Sequence, residues 1–175
     1  MKRTFFSLAL LLAVATLTAQ TKMTAREAAV KIADRILAST TYEFKNTKTG
    51  EIYKSVKKLP LDMDVKVACK YNNWHYTNGV TNMALMELGD KLGDKKYEKY
   101  VLKNMNFVFN EGNLDFFRKQ YDEAFKRDGW NAVRKLSWHM IFRGKRLDDN
   151  GPMGASLIEL QLKYPNDSFL GYINE

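Results

Sequence analysis

The sequence is poor in the residues that form disulfides, metal sites and sheets. Its single cysteine, Cys69, excludes an internal disulfide, so packing alone must hold the fold together. The only histidines are His75 and His139, and no spacing of His, Cys and carboxylates indicates a metal. A Gly-rich phosphate loop is missing, and so are alternating runs of valine and isoleucine. These absences predict a protein without a metal or a cofactor and favour a fold without a sheet.

Positive charge is in excess, but it is not gathered into one run. The formal net charge is +8. Such an excess can serve nucleic acid, an anionic membrane or an acidic ligand. There is no basic run, no RNA-binding signature and no helix-turn-helix spacing, so nucleic acid is not an expected partner. The charge fits an acidic ligand, and a solvated lysine-rich surface is the alternative.

Residues 1–19 have the pattern of a secretory signal peptide. A basic start, Lys2-Arg3, precedes an apolar segment over 5–17 that is too short to span a bilayer. Small residues before Gln20 offer a cleavage site. The pattern predicts an exported protein, periplasmic or extracellular, with no membrane contact after cleavage. An uncleaved N-terminal anchor is the alternative.

The remaining chain has the pattern of an all-α protein built from helical hairpins. Thr24 followed by Glu27 is a capping box, which predicts a helix to about Ser39. Residues 40–62 are predicted to be irregular, and Ile52-Tyr53 either pairs briefly as a strand or lies across the surface. Further amphipathic helices are predicted over about 64–92, with an interruption at 72–76, and over about 95–109, 114–128, 130–141 and 152–164.

The stretch from Leu147 to Leu160 holds two adjacent carboxylates beside the start of an apolar helix. Asp149 or Asn150 can cap that helix, because a short side-chain oxygen reaches the amides of the first turn. Pro152 is expected near the first helical position. Gly154 would let another backbone or a ligand approach closely. The arrangement suits a polar ligand, and an ordinary helix start is the alternative.

Two segments together resemble a family of glycoside hydrolases. The first runs from Trp74-His75-Tyr76-Thr77-Asn78-Gly79-Val80 through Lys91-Leu92-Gly93-Asp94-Lys95-Lys96-Tyr97 and looks like a W-x-Y-x-x-G-V … L…GDxxY pattern. The second, Leu147 to Leu160, resembles the pattern DDxGxMGAxLI. In this order they are similar to the family 105 glycoside hydrolases, the unsaturated rhamnogalacturonyl hydrolases, which are related to the family 88 unsaturated glucuronyl hydrolases. The resemblance covers the chain from about Ala25 to its end.

The resemblance implies a fold and a reaction. The implied fold is an (α/α)6 barrel, of which residues 20–175 would form about half. The implied activity is exported removal of an unsaturated galacturonyl residue from pectin (rhamnogalacturonan) oligosaccharides. An Asp protonates the C4=C5 double bond, water adds at C5, and the hemiketal opens. The expected partner is therefore an unsaturated uronic-acid oligosaccharide. The alternative is a non-catalytic helical-hairpin module that binds a carbohydrate or another protein.

The resemblance also implies site residues. Asp149 matches the first functional aspartate of these families and would contact the unsaturated sugar or help to hold the water, with Asp148 as second choice. The expected substrate-binding residues are Trp74, His75, Tyr76, Asn78 and Asn150. His75 can instead be a satisfied histidine at a helix end, and His139 is expected to be structural. The family's main acid/base Asp lies in a later W-x-D-D-L-[YF]-M-like segment, which does not occur in these 175 residues.

Half of a closed barrel would leave inner helices without partners. Met83, Met86, Leu88, Leu157 and Leu160 would then face solvent on one side. Large exposed apolar patches promote association. The chain is therefore expected to be weakly stable, to self-associate and to have no hydrolase activity by itself.

Overall fold

The computed structural model describes residues 23–109, 112–143 and 147–174, without the side chain of Asp149. The expected signal peptide, residues 1–19, lies outside the described residues. The contacts of the chain divide it into two units between Asp34 and Arg35. In the first unit, the described residues form most of one helix, and the second unit holds the other elements.

The described residues are mostly helical, as the sequence pattern predicts. The helices are α1 (Ala25–Ser39), α2 (Tyr76–Leu92), α3 (Lys96–Phe109), α4 (Asn113–Val133), α5 (Leu147–Lys163) and α6 (Asp167–Ile173), and short 3-10 helices cover Val56–Lys58 and His139–Phe142. Within the described part of the chain, no helix has both the length and the apolar composition needed to cross a membrane.

The capping box at the start of α1 forms as predicted. The amide of Glu27 donates to Thr24 Oγ1 at 3.2 Å, and the amide of Thr24 donates to the Glu27 carboxylate at 2.8 Å. These reciprocal bonds satisfy donors that the first turn of a helix cannot pair internally. The predicted helix over 95–109 is confirmed as α3, which differs by one residue at its start.

A three-stranded antiparallel sheet forms over residues predicted to be irregular and over the start of a predicted helix, which corrects the expectation of a fold without a sheet. The pairing of Ile52-Tyr53 as a short strand, one of the two alternatives for that segment, is confirmed. The central strand β1 (Phe44–Asn46) pairs with β2 (Ile52–Tyr53) and with β3 (Val65–Val67). Strands this short contain too few residues for an alternating pattern to be recognised. Phe44 is buried, and its ring lies 5.5 Å from the ring of Phe107 on α3. The sheet therefore packs against the helices.

The second helix begins later than predicted. The segment expected to start a helix near residue 64 pairs in the sheet as β3 instead. His75, rather than Thr77 or Asn78, is the N-cap of α2, and its Nδ1 accepts from the amide of Thr77 at 3.4 Å. The imidazole nitrogen of His75 thus accepts the hydrogen bond that a short Asn or Thr side chain accepts at other helix starts.

The helix predicted over 130–141 forms only over its first turn, Trp130 to Val133. α4 passes through a kink at Asp128 and Gly129 and ends at Val133. A 3-10 helix follows Trp138, which adopts a φ of 63°. The apolar spacing over this segment reflects burial in a folded loop and not a helical face.

The last full helix begins earlier than predicted. α5 starts at Leu147, so Asp149 and Asn150 lie inside its first turn and do not cap it. Pro152 lies inside the helix and not at its first position. Because proline has no amide hydrogen, it leaves the carbonyl of Asp148 without its usual helical partner.

α2 and α5 run parallel and in contact. Near their starts, Gly79 lies against Pro152 and Met153. Near their ends, Lys163 Nζ forms an ion pair with Asp90 at 2.9 Å. The two sets of contacts are separated by the same number of residues on both helices. We call this packing the α2–α5 contact.

The α2–α5 contact buries most of the side chains that were expected to face solvent. Met86, Leu157 and Leu160 are fully buried, and Leu88 is half-buried. The expectation is wrong for Met86, Leu157 and Leu160, because each helix turns its apolar stripe towards a neighbour within the described chain. Met83 is exposed, at 40%.

Candidate functional site

The two segments that carry the family resemblance meet in the structure. Trp74, in the loop before α2, donates its Nε1 hydrogen to Asn150 Oδ1 at 2.7 Å, and Asn150 Nδ2 donates to the carbonyl of Arg143 at 3.3 Å. Trp74 is only 1% exposed. A buried indole N–H needs an acceptor, and Asn150 provides it from 76 residues further along the chain. The first turn of α5 is thereby tied to the loop before α2.

Gly79 lets the two helices touch. A Cβ at this position would lie 2.4 Å from the carbonyl carbon of Pro152 and 2.5 Å from the amide nitrogen of Met153. Packed atoms do not approach so closely, so only glycine fits here. Gly154, which the sequence suggested for a close approach, has no neighbour within 4 Å of the position of its missing Cβ. The expected approach of another backbone occurs at Gly79 and not at Gly154, and the approach of a ligand to Gly154 stays a prediction.

Asn78 and Asn73 fix the loop that carries Trp74. Asn78 Nδ2 donates to the carbonyls of Lys70 and Asn73 at 3.1 and 2.9 Å. Asn73 Oδ1 in turn accepts from the amide of Trp138 at 2.9 Å. Asn78 is 8% exposed. The hydrogen bonds found for Trp74 and Asn78, which were expected to bind substrate, are made within the protein.

Asn72 is buried next to this loop without a partner for its side chain. It is 1% exposed, and neither its Oδ1 nor its Nδ2 has a hydrogen bond to a described residue. The indole Nε1 of Trp138 is in the same state. Buried polar groups of this kind are usually satisfied by an internal water. Sequence periodicity gives no signal for them.

His75 and Tyr76 are the expected substrate-binding residues that reach the surface from the first segment. His75 is half-buried, and its ring centroid lies 4.9 Å from that of Tyr76. Tyr76 is 46% exposed. His75 therefore combines the helix-end role left open by the sequence with a position beside an exposed ring. His139 lies elsewhere, with its Nδ1 2.8 Å from the carbonyl of Leu136.

Asp148, Asp149 and Asn150 of the second segment lie at the start of α5. Asp148 is exposed, and Asn150 is half-buried because it bonds to Trp74. The backbone of Asp149 is helical, and its side chain is outside the described part. Among the described residues, no three His, Cys, Asp or Glu side chains are grouped so that they could hold a metal ion.

A shallow groove adjoins the junction of the two segments. Tyr172 of α6 contacts Trp74 edge to face, with ring centroids 5.6 Å apart, and it also lines the groove. The polar side chains of the groove include Asp115, Arg118 and Asp167. Two carboxylates and a guanidinium around one depression can hold a polar ligand. Sequence reasoning missed this groove because α4 and α6 supply residues that no local pattern connects.

Glu98 is a strongly perturbed carboxylate that the sequence patterns did not single out. It is 1% exposed and accepts hydrogen bonds from Tyr164 Oη at 2.7 Å, Lys95 Nζ at 3.0 Å and Lys163 Nζ at 3.3 Å. Burial raises its pKa, but these hydrogen bonds outweigh burial and lower the pKa to about 2. A carboxyl group with so low a pKa stays ionised at neutral pH and cannot donate a proton to a substrate. Glu98 instead links α3 to the end of α5.

No protein-family model matches the chain, and no curated protein matches it. The resemblance to the family 105 and family 88 glycoside hydrolases therefore stays a prediction from the two segments.

Proposed function

We propose that this chain binds pectin oligosaccharides that end in an unsaturated galacturonyl residue and contributes to a site that hydrates their C4=C5 double bond, without turnover by these residues alone. The support comes from one observation: the two segments that resemble the family 105 glycoside hydrolases contact each other. Trp74 bonds to Asn150, and Gly79 packs on Pro152. These contacts bring the start of α2 and the first turn of α5, where the expected site residues lie, next to each other.

The proposed reaction adds the elements of water to the ring. A proton is added at C4, the hydroxyl of water is added at C5, and the resulting hemiketal opens and releases the rest of the oligosaccharide as an alcohol. Asp149 contacts the unsaturated sugar or holds the water, and Asp148 is the second candidate. Tyr76 and His75 supply contacts from the exposed start of α2. Trp74, Asn78 and Asn150 position these groups through their hydrogen bonds.

The proposal includes a fold, in which the helices form about half of an (α/α)6 barrel. The parallel packing of α2 on α5 supports it, because equivalent helices of hairpins stacked side by side run in the same direction. Exposed apolar side chains remain on both helices: Val80, Met83, Ile158 and Leu162 are 53%, 40%, 48% and 80% exposed. Self-association through these side chains stays a prediction, which sedimentation at several protein concentrations tests.

The test of the proposed function compares two disaccharides that differ in the C4=C5 bond, unsaturated galacturonyl-rhamnose and its saturated counterpart. We expect calorimetry to show at least about tenfold tighter binding of the unsaturated sugar, equivalent to about 1.4 kcal/mol. Asp149→Asn should abolish this preference. Asp122→Asn, which changes an exposed carboxylate on α4, should keep it. Equal affinity of the unchanged protein for both sugars would contradict the proposal.

Turnover is measured in the same samples from the ultraviolet absorbance of the double bond. Because the W-x-D-D-L-[YF]-M-like segment does not occur in the sequence, we expect binding without turnover by this chain alone. Loss of the absorbance would mean that a general acid is present within these 175 residues, and Asp149→Asn and Asp148→Asn would then be compared for the loss of rate.

A non-catalytic binding module is the second candidate. The exposed ring of Tyr76 beside His75 favours it, because such a ring can contact a ligand without a general acid. Such a module would bind the saturated and unsaturated sugars equally and would leave the absorbance unchanged. The same two measurements therefore separate the candidates.

A further inference from the structure

A kink in α4 creates an exposed group of aromatic rings. Asp128 and Gly129 leave the helical conformation, and Gly129 has φ 51° and ψ −136°, a combination that favours glycine. The kink brings Trp130 back against Phe125, with ring centroids 5.5 Å apart and planes at 82°. The ring of Tyr121 lies parallel to that of Phe125, at 6.4 Å.

These rings form a supported platform and not a set of separate surface side chains. Phe125 and Trp130 are 46% and 50% exposed. Tyr121 is partly buried and packs on a small core made by Ala124, Ala132, Val133 and Leu136. An exposed ring whose position is fixed from below loses little conformational freedom when a ligand binds.

Two arginines lie over rings at the same place. The guanidinium carbon of Arg143 is 4.7 Å from the ring centroid of Trp130, and that of Arg118 is 4.9 Å from the ring centroid of Phe142. We call the six side chains of this region the aromatic–arginine surface: Arg118, Tyr121, Phe125, Trp130, Phe142 and Arg143.

The guanidinium groups keep hydrogen-bond donors for a ligand. Stacking on a ring uses the flat face of a guanidinium, whereas its N–H donors point outward in its plane and suit a carboxylate. Neither Arg118 nor Arg143 makes a side-chain hydrogen bond or an ion pair with another described residue. The arrangement thus offers flat apolar faces beside anion-binding donors.

The surface is continuous with the groove at the junction of the two segments. Arg118 lies over Phe142 and also lines the groove that Tyr172 shares. Tyr172 in turn contacts Trp74. A ligand several sugar units long that occupies the groove can therefore extend over the exposed rings.

We propose that the aromatic–arginine surface binds an acidic oligosaccharide, with sugar rings against Phe125 and Trp130 and a uronate carboxylate on Arg143. The choice of sugar rests on the proposed function. A pyranose ring has an apolar face that fits a flat aromatic ring, and a uronate carries a single carboxylate. Asp122, Glu123 and Asp128 are also exposed on α4 and oppose any polyanion, so we assign the contact with a ligand carboxylate to Arg143 alone.

The tryptophans of this protein make the proposal directly measurable. Trp74 and Trp138 are each 1% exposed, whereas Trp130 is 50% exposed. Quenching of intrinsic fluorescence by acrylamide, a neutral quencher, therefore reports mainly Trp130. We expect saturated oligogalacturonate to reduce this quenching about twofold or more. Quenching that is unchanged up to millimolar oligogalacturonate would overturn the proposal.

Variants then assign the groups that bind. In calorimetry with saturated oligogalacturonate, Trp130→Ala and Arg143→Gln should each weaken binding about tenfold. Arg35→Gln is the matched control, because it removes the same charge from α1, and it should leave the affinity unchanged. Circular dichroism and thermal melting check that each variant is folded. For Trp130→Ala, Trp130→Phe keeps a ring and should retain most of the affinity.

Two competing ligands complete the test. A neutral galacto-oligosaccharide of the same length should bind about tenfold more weakly, because it has no carboxylate for Arg143. Equal affinity for the neutral sugar would overturn the assigned role of the arginine. Stronger protection of Trp130 by a single-stranded oligonucleotide would assign the surface to nucleic acid instead.

The outcome is independent of the test of the proposed function. Saturated oligogalacturonate has no C4=C5 bond, so its binding to Trp130 does not depend on hydration chemistry or on Asp149. If the protein does not prefer the unsaturated disaccharide, the proposed function is contradicted, but the proposal for the aromatic–arginine surface is not. If oligogalacturonate does not protect Trp130 from quenching, the proposal for the aromatic–arginine surface is contradicted, but the proposed function is not.

Discussion

Trp74 and Trp130 show how two regions of this protein use the same side chain in different ways. Trp74 is 1% exposed, beside the α2–α5 contact, and its N–H is bonded to Asn150. Trp130 is 50% exposed, and the guanidinium of Arg143 lies over its ring. The first ring completes a buried junction, and the second presents a face to solvent.

Each of the two regions depends on one glycine, Gly79 at the α2–α5 contact and Gly129 at the aromatic–arginine surface. At Gly79 there is no space for a Cβ, because the backbone of α2 lies directly against the backbone of α5. Gly129 has open space around the position of a Cβ, but its positive φ turns the chain and brings Trp130 back to Phe125. The α2–α5 contact thus depends on close packing of two backbones, whereas the aromatic–arginine surface depends on the backbone conformation of Gly129. Mutations should therefore be costly at the α2–α5 contact and mild at the aromatic–arginine surface.

The largest effect is expected for Gly79→Ala. The new methyl group would meet backbone atoms of Pro152 and Met153, which cannot move aside without separating the helices. We expect a loss of more than about 3 kcal/mol in the free energy of unfolding, measured by urea denaturation. Gly154→Ala is the control on α5, where nothing lies within 4 Å, and it should gain about 0.5–1 kcal/mol. Equal effects of the two changes would show that α2 and α5 do not touch as described.

Trp74→Phe tests the buried hydrogen bond directly. Phenylalanine keeps an aromatic ring but leaves Asn150 Oδ1 without its donor and leaves a small cavity. We expect a loss of about 2–3 kcal/mol in the free energy of unfolding. Trp130→Phe, at the aromatic–arginine surface, should change it by no more than about 0.5 kcal/mol. A smaller loss for Trp74 than for Trp130 would reverse the comparison.

Glu98→Gln extends the comparison to charges. We expect a loss of about 1–2 kcal/mol at pH 7, a value reduced because Lys95 and Lys163 are partly exposed. The pKa of Glu98 is lowered from its ordinary 4.5 to about 2, so its contribution is fully present above about pH 4.5 and is lost as the pH falls towards 2. The difference between the unchanged protein and the variant should shrink over that range.

The matched control is Glu123→Gln on α4. Glu123 pairs with Lys126 at 2.9 Å, but both side chains are more than half exposed. Exposed pairs of this kind contribute little. Urea denaturation at several pH values should show almost no effect of Glu123→Gln. A Glu98→Gln effect that stays constant down to pH 2 would mean that packing, and not charge, explains the role of Glu98.

Local signals predicted the local part of this fold. The capping box of Thr24 and Glu27 and the apolar spacing of α3 could be recognised because their partners lie within a few residues. Two strands of the sheet were missed because they have only three residues each, whereas the pairing of Ile52-Tyr53 was one of the two alternatives for that segment. The Asp128-Gly129 pair was correctly recognised as a break and the helix as resuming at Trp130, but the sequence does not show that this helix ends at Val133.

The sequence predicted which residues belong to the candidate site, but it did not predict the contacts between them. Trp74, Asn150 and Gly79 stand out in the sequence, yet the hydrogen bond and the close packing join segments far apart in the chain. The aromatic–arginine surface was not predicted because helical spacing cannot distinguish a ring in the core from one that a kink turns outward. Exposure of Trp130 and burial of Trp74 depend on tertiary structure alone.

The separation of Trp74 from Asn150 has a consequence for the time course of folding. α2 and α3 can form early from local contacts, but the partner of Trp74 lies 76 residues later and must be synthesised first. Closing a loop of that length costs chain entropy before any contact repays it, so we expect the α2–α5 contact to form late. Interactions absent from the transition state act mainly on the rate of unfolding. We therefore expect the hydrogen bond between Trp74 and Asn150 to slow unfolding and to leave the rate of folding almost unchanged.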